Sequence, residues 1–241
     1  MENTGYIALS RQAVLGRKLT VIANNLANMT TPAFKGEDMM FVEHLKKTGE
    51  NDRVSLVQDL ALLRNVSEGP MTKTDNPLDL AISGDGYFAV ETVDGERYTR
   101  NGTFALDAQG RIVTTQGDSV LGTDGNAITI PQNEPQISIA RDGSVSAGET
   151  LIGRIQVVSF ENEQALEKQS NSLFAKGEQE PQAANDAEVI QGMSEGSNVQ
   201  GIVEMTKMIS TVRSYTAISK MVDQEHERQR RAIQVLAAAQ Q

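Results

Sequence analysis

The sequence predicts an α+β fold: long amino- and carboxy-terminal α-helices pairing as a coiled-coil segment, with an antiparallel all-β domain between them. Three observations predict it. Apolar residues recur at helical spacing over residues 1–28 and 199–241, and the period changes to 2 from Asn76. Turn pairs then punctuate the middle: Asp94-Gly95, Asn101-Gly102, Gln109-Gly110, Asp124-Gly125 and Asp142-Gly143. The expected division is 1–35 for the first helix and its turn, 36–75 for an extended linker with a short helix, and 76–160 for the β domain. Residues 161–198 form a return segment and 199–241 the last helix.

In the first helix, Leu15, Leu19, Ile22 and Leu26 fall at spacings of 4, 3 and 4 on one face. Asn3 or Thr4 is positioned to cap its start. Asn28, Thr30, Thr31 and Pro32 end it, because the residue before a proline is pushed out of the helical region. In the linker, Met39 to Lys46 reads as a short helix and Glu50 to Arg53 as a loop.

Leu78, Leu80 and Ile82 then alternate, Gly84-Asp85-Gly86 turns the chain, and Tyr87 to Thr92 runs on as a strand. Further strand-like runs are Arg97 to Thr99, Thr103 to Leu106, Arg111 to Thr115, Ala127 to Ile130, Gln136 to Ala140 and Gly153 to Phe160. The return segment holds one helical turn at Gln164 to Lys168 and is otherwise rich in Gln, Glu and Pro.

The last helix carries a seam of Met208, Val212, Tyr215, Ser219, Val222, His226, Gln229, Ile233 and Leu236, with steps alternating 4 and 3. That alternation keeps one stripe facing a partner helix. Ile202, Met205 and Ile209 widen the stripe, and Ser197 or Asn198 is the expected N-cap. A helix this long cannot bury its face against itself. Two arrangements fit: a helical hairpin packed on the middle of the chain, or helices that join those of other subunits.

The 241 residues allow one or two domains with sizeable cores. The net charge of -10 argues against nucleic acid as a partner. Residues 1–28 and 199–241 each carry +2, leaving -14 for residues 29–198. Such ends suit packing together while the body faces solvent. The absence of cysteine removes disulfides, thiolate metal sites and cysteine catalysis. No apolar run approaches the ~20 residues that span a bilayer, so direct membrane insertion is not expected. Arg11, Arg17 and Lys18 interrupt residues 1–28, which therefore do not read as a cleavable signal.

One catalytic pattern stands out. Gly192-Met193-Ser194-Glu195-Gly196 matches the nucleophile elbow of serine hydrolases, with Asp223 and His226 following in order. Asp223 and His226 would share one helix, however, and too few residues follow Gly196 to build the supporting strands. His44 and His226 lack a third ligand nearby, so no zinc site is expected. The Asp-Gly pairs read as turns rather than calcium ligands, and Gly84-Asp85-Gly86 leads into a strand rather than a helix, so no cofactor is expected. Glu225 to Arg231 reads as a solvated charged face of the last helix. A secreted binding module whose β domain grips a ligand is a further class of reading.

Four motifs, in order, resemble those of bacterial flagellar rod and hook proteins. They are Ala23-Asn24-Asn25-Leu26-Ala27-Asn28 with Thr31-Pro32-Ala33-Phe34-Lys35; Leu78 through Phe88; Tyr98 through Phe104; and Glu195-Gly196-Ser197-Asn198-Val199. The length and single β domain resemble a rod member more than a hook protein, with a proximal-rod position favoured over a distal one. Two positions depart from the family pattern: Ala33, usually Gly, and Ser194, usually Leu.

The resemblance implies a structural subunit that is not an enzyme. It implies export through the flagellar type III apparatus without a cleaved signal, and terminal helices that assemble with other rod subunits, of the same and of different chains. The expected assembly interface comprises Leu15, Leu19, Ile22, Asn24, Asn25, Leu26 and Asn28 at one end. At the other it comprises Met208, Val212, Tyr215, Val222, Ile233 and Leu236.

Overall fold

The computed structural model describes residues 2–47, 53–131, 136–184 and 186–238. They form two compact units: Met1–Ala27, Glu37–Arg64 and Gln200–Gln241 in the first, Asn28–Gly36 and Asn65–Val199 in the second. The chain therefore passes between the units at 27/28, 36/37, 64/65 and 199/200.

The first unit joins two helices and a hairpin. Helix α1 spans Glu2–Ala27 and α2 spans Gly201–Ala238. Asn3 and Thr4 thus lie within α1 rather than before it. Helix α2 begins two residues later than expected, because Ser197 and Asn198 are engaged elsewhere: Ser197 Oγ accepts from Val199 N–H, and Asn198 binds neighbouring backbone. Strands β1 (Glu37–Lys47) and β2 (Arg53–Arg64) pair antiparallel from Glu37↔Arg64 to Lys47↔Arg53, with a bulge between Met40 and Phe41.

The short helix expected over Met39 to Lys46 is therefore a strand. A brief apolar run does not distinguish helix from strand by its period. The decision comes from the second strand downstream, which supplies the ladder that Phe41 and Val42 favour.

In the second unit the strands are β3 (Met71–Lys73), β4 (Leu80–Ser83), β5 (Tyr87–Thr92), β6 (Gly95–Thr99), β7 (Phe104–Leu106), β8 (Ile112–Thr114), β9 (Ser119–Val120), β10 (Ile137–Ile139) and β11 (Ser144–Ala147). They continue with β12 (Thr150–Arg154), β13 (Val157–Ser159), β14 (Glu167–Lys168), β15 (Leu173–Ala175), β16 (Gln182–Ala183), β17 (Glu188–Gln191) and β18 (Met193–Glu195). The largest sheet runs β14-β15-β6-β5-β9-β8-β7, with β13 and β16 attached through β5. Strands β10, β11 and β12 form a meander, β17 pairs with β4, and β18 pairs with β3. Every pairing is antiparallel.

Residues 161–198 are thus part of the β body. They add five strands and a 3-10 turn at Glu163–Ala165, where a longer helical turn was expected. The Gln- and Glu-rich composition hid them, because β14 and β16 are two-residue edge strands with exposed side chains. The run Gly153 to Phe160 is divided between β12 and β13, and Ala127 to Ile130 contributes only isolated bridges. One core gathers Leu80, Ile82, Phe88, Val90, Phe104, Ile112, Val120, Val145, Ile155 and Val189. A second surrounds Tyr87, Tyr98, Phe160 and Phe174, whose rings meet edge to face.

Candidate assembly interface

Within the first unit, α1 and α2 lie antiparallel. Asn25 Nδ2 donates to Glu204 Oε2 at 3.3 Å, and Gln12 Nε2 donates to Tyr215 Oη at 3.2 Å. The shielded positions of α2 include Glu204, Met208, Thr211, Tyr215, Ile218, Val222 and Glu225, in steps of 4 and 3, with Gly201, Lys207 and Ser219 half-buried beside them. On α1, Ala8, Val14 and Ile22 are buried and Leu15, Leu19 and Leu26 are half-buried. Met208, Tyr215 and Val222 therefore belong to a face that is already shielded in the single chain.

Val212 does not. It is 45% exposed and continues a second stripe with Ile202 (83%), Met205 (54%) and Ile209 (55%). Steps of 3, 4 and 3 place these four on one side of α2, about 120° around from the shielded face at 100° per residue. The seam read from the sequence merged two faces. Seven-residue spacing is common to both, and the sequence does not show which one a partner covers. The side chains of Ile233 and Leu236 lie outside the described residues.

Asn25 is 3% exposed and anchors the start of the hairpin to α1. Its Nδ2 donates to Glu37 O at 2.8 Å, and its Oδ1 accepts from Glu37 N–H at 3.0 Å. Glu204, also buried, accepts from Lys207 Nζ at 2.8 Å, and Lys207 reaches Asp38 on β1 at 3.2 Å. A polar group sunk in a helical face fixes register, because only one alignment satisfies it. Asn24 is exposed and Asn28 half-buried.

The second unit holds a buried ion cluster that sequence reasoning missed. Glu195, on β18, accepts Lys35 Nζ at 2.6 Å and Gly69 N–H at 2.9 Å through Oε1, and Arg100 Nε at 2.8 Å through Oε2. Lys35 also donates to Ser67 O at 2.8 Å, and Arg100 to Gly86 O at 2.8 Å and Ile82 O at 3.1 Å. Burial alone would push the Glu195 carboxyl up. The Arg100 charge, the Gly69 N–H and Lys35 outweigh it and hold the carboxyl below the usual glutamate range. Burial lowers the Lys35 ammonium by more than Glu195 restores.

Around this cluster Asn198 Oδ1 accepts from Gly36 N–H, and its Nδ2 donates to Asn65 O and Ser67 O. A Cβ on Gly69 would collide with Gly196 O, so this close backbone approach requires glycine. The signal available in sequence was that Lys35, Arg100 and Glu195 each sit inside one of the family motifs.

Ser194 lies in the middle of β18, paired with Thr72. A nucleophile elbow requires a sharp turn between strand and helix, which this strand does not provide. His226 and Asp223 are exposed on α2. Among the described residues, no group of three or more His, Cys, Asp or Glu is arranged to hold a metal, and no helix is long and apolar enough to cross a membrane.

Three family models match this chain. They are the flagella basal body rod protein (residues 6–35), the flagellar hook protein FlgE/F/G D1 domain (81–147) and the flagellar basal body rod FlgEFG protein C-terminal region (190–235). A flagellar basal-body rod protein FlgF from Caulobacter vibrioides is 39% identical, over 98% of each chain. The chain belongs to the flagellar basal-body rod protein family. A FlgF from Mesorhizobium japonicum is 31% identical over 99% of each chain. A rod protein FlgG from Bacillus subtilis is 32% identical, over 92% of this chain and 94% of its own.

Proposed function

We propose that this rod protein assembles through its first unit, with the α2 stripe Ile202, Met205, Ile209 and Val212 buried against helices of neighbouring rod subunits. The observation that carries the reading is that stripe: four large apolar side chains, 45–83% exposed, aligned on one side of a helix whose other seam, about 120° around, is occupied. Exposed apolar surface of this extent marks an interaction site. Helix α2 is also longer than α1, at 38 residues against 26, so its carboxy-terminal end outruns its partner by about 18 Å at 1.5 Å per residue. Neighbours would cover that end, completing the coiled-coil core.

The role is structural, as a segment of the shaft that transmits torque, and not enzymatic. The proximal rod is the favoured position, supported by matches to FlgF proteins that span 98% and 99% of this chain. Export through the flagellar type III apparatus without a cleaved signal completes the reading. Isolated basal bodies should contain the chain in the rod, on the side nearer the membrane-embedded ring. Its absence from basal bodies of motile cells would overturn the reading. Deletion of residues 2–28 should leave the protein in the cytoplasm, and normal export of that variant would refute the export route.

A further inference from the structure

We propose that Glu195 is the residue on which closure of the β body depends, so that strands formed from the first half of the chain become stable only when the carboxy-terminal segment arrives. The inference rests on the second unit alone and stands apart from the assembly reading.

The body buries two cations whose principal counter-charge comes from late in the chain. The Lys35 and Arg100 side chains are 4% and 5% exposed, and the Glu195 side chain 1%. Arg100 has one further carboxylate, Glu68, at 3.5 Å, and that side chain is 42% exposed. The remaining acceptors of both cations are backbone carbonyls: Ser67, Gly86 and Ile82. A carbonyl satisfies a donor but carries no net charge. Without Glu195 the body would have to bury an ammonium and a guanidinium with only the half-exposed Glu68 beside Arg100 and the weaker pull of the Glu163 charge on Lys35, which is strongly unfavourable.

Sequence distance gives this its consequence. Lys35 and Glu195 are 160 positions apart, and Arg100 and Glu195 are 95 apart. A chain emerging from the ribosome supplies Lys35, then Arg100, then the carboxylate last. The same residues seal the joint in one step. Ala33 N–H donates to Glu195 O, Gly69 N–H to its carboxylate, and Gly196 N–H to Pro70 O. One short strand, β18, therefore pins the segment after α1, the segment after β2 and the end of β6 together.

The test uses the full chain and amide hydrogen exchange. Glu195→Gln keeps the shape and an acceptor while removing the charge. It should speed exchange in β4, β5 and β6, far away in sequence, by on the order of 10²-fold or more. Lys35→Met added to Glu195→Gln removes one stranded cation and should restore at least about tenfold of that protection. In pulse-labelled refolding of the parent, β4, β5 and β6 should gain protection in the same phase as residues 193–196. Parent-like exchange in Glu195→Gln would overturn the proposal. So would a double variant no better protected than Glu195→Gln alone, or protection of β5 and β6 in an earlier phase.

Discussion

Val212→Asp separates the fold of the subunit from its assembly. In the single chain Val212 is 45% exposed, and its helical neighbours along the stripe, Ile209 and Met205, are more exposed still. A carboxylate there remains in contact with water, so the isolated chain should change in stability by no more than about 0.5 kcal/mol. Once the stripe is covered, the same carboxylate is buried without a partner, at about 3–5 kcal/mol per subunit. At 1.4 kcal/mol per decade, that is roughly 10²-fold to a few thousandfold weaker incorporation. Ser214→Asp supplies the control. It adds the same charge to an exposed position two residues along, about 200° around the helix. The assays are thermal unfolding of the purified chain, swimming, and the amount of this protein in isolated basal bodies. Val212→Asp should melt like the parent yet fail to incorporate, and Ser214→Asp should do neither harm. If Val212→Asp incorporates as well as the parent, the exposed stripe is not an assembly face.

Asn25→Ala should destabilise the first unit by about 1–3 kcal/mol, because both backbone groups of Glu37 lose their buried partner; loss of helical signal on heating measures it, and an unchanged melt would refute the anchor. Ala33→Gly should be neutral or stabilising by up to about 1 kcal/mol, since Ala33 sits at φ 55° where a side chain is strained; a clear loss of stability would show that its buried methyl matters more. Glu195 makes the body acid-sensitive. Its folded pKa is depressed, so its contribution is present above the ordinary glutamate value near 4.3 and is lost as pH falls through the folded value. Melting temperature should therefore fall more steeply below about pH 4.3 for the parent than for Glu195→Gln, and equal slopes would refute the assignment.

Much of this architecture was legible in the sequence, and the residues explain what was not. The termini announced themselves because helical spacing persists over many turns, as in Leu15, Leu19, Ile22 and Leu26. The turn pairs bracketed strands such as Tyr87–Thr92, because Asp94-Gly95 fits a tight hairpin. Met39 to Lys46 misled because its apolar run, Met39 to Val42, is too brief to show a period, and the strand takes its identity from its partner, β2, which no local pattern reveals. Residues 161–198 misled because edge strands with exposed Glu, Lys and Gln look like linker. The seam read from the sequence shares Met208, Tyr215 and Val222 with the shielded face of α2 but runs them together with the exposed Val212. That distinction depends on where α1 lies, and Tyr215 against Gln12 settles it. Lys35, Arg100 and Glu195 were visible as motif residues, while their convergence depends on contacts across 160 and 95 positions.

The chain has no cysteine, so a single introduced thiol reports directly on the stripe. Ile209→Cys is the most informative position, exposed at 55% in the single chain, with Val93→Cys at the tip of the β5–β6 hairpin as the exposed reference. The measurement is the rate of maleimide labelling in the purified chain and in intact basal bodies. Burial of the stripe predicts that Ile209→Cys labels readily in the purified chain and is protected in basal bodies, while Val93→Cys labels in the purified chain and serves as the rate standard there. Equal reactivity of Ile209→Cys in the two states would contradict assembly through this face of α2.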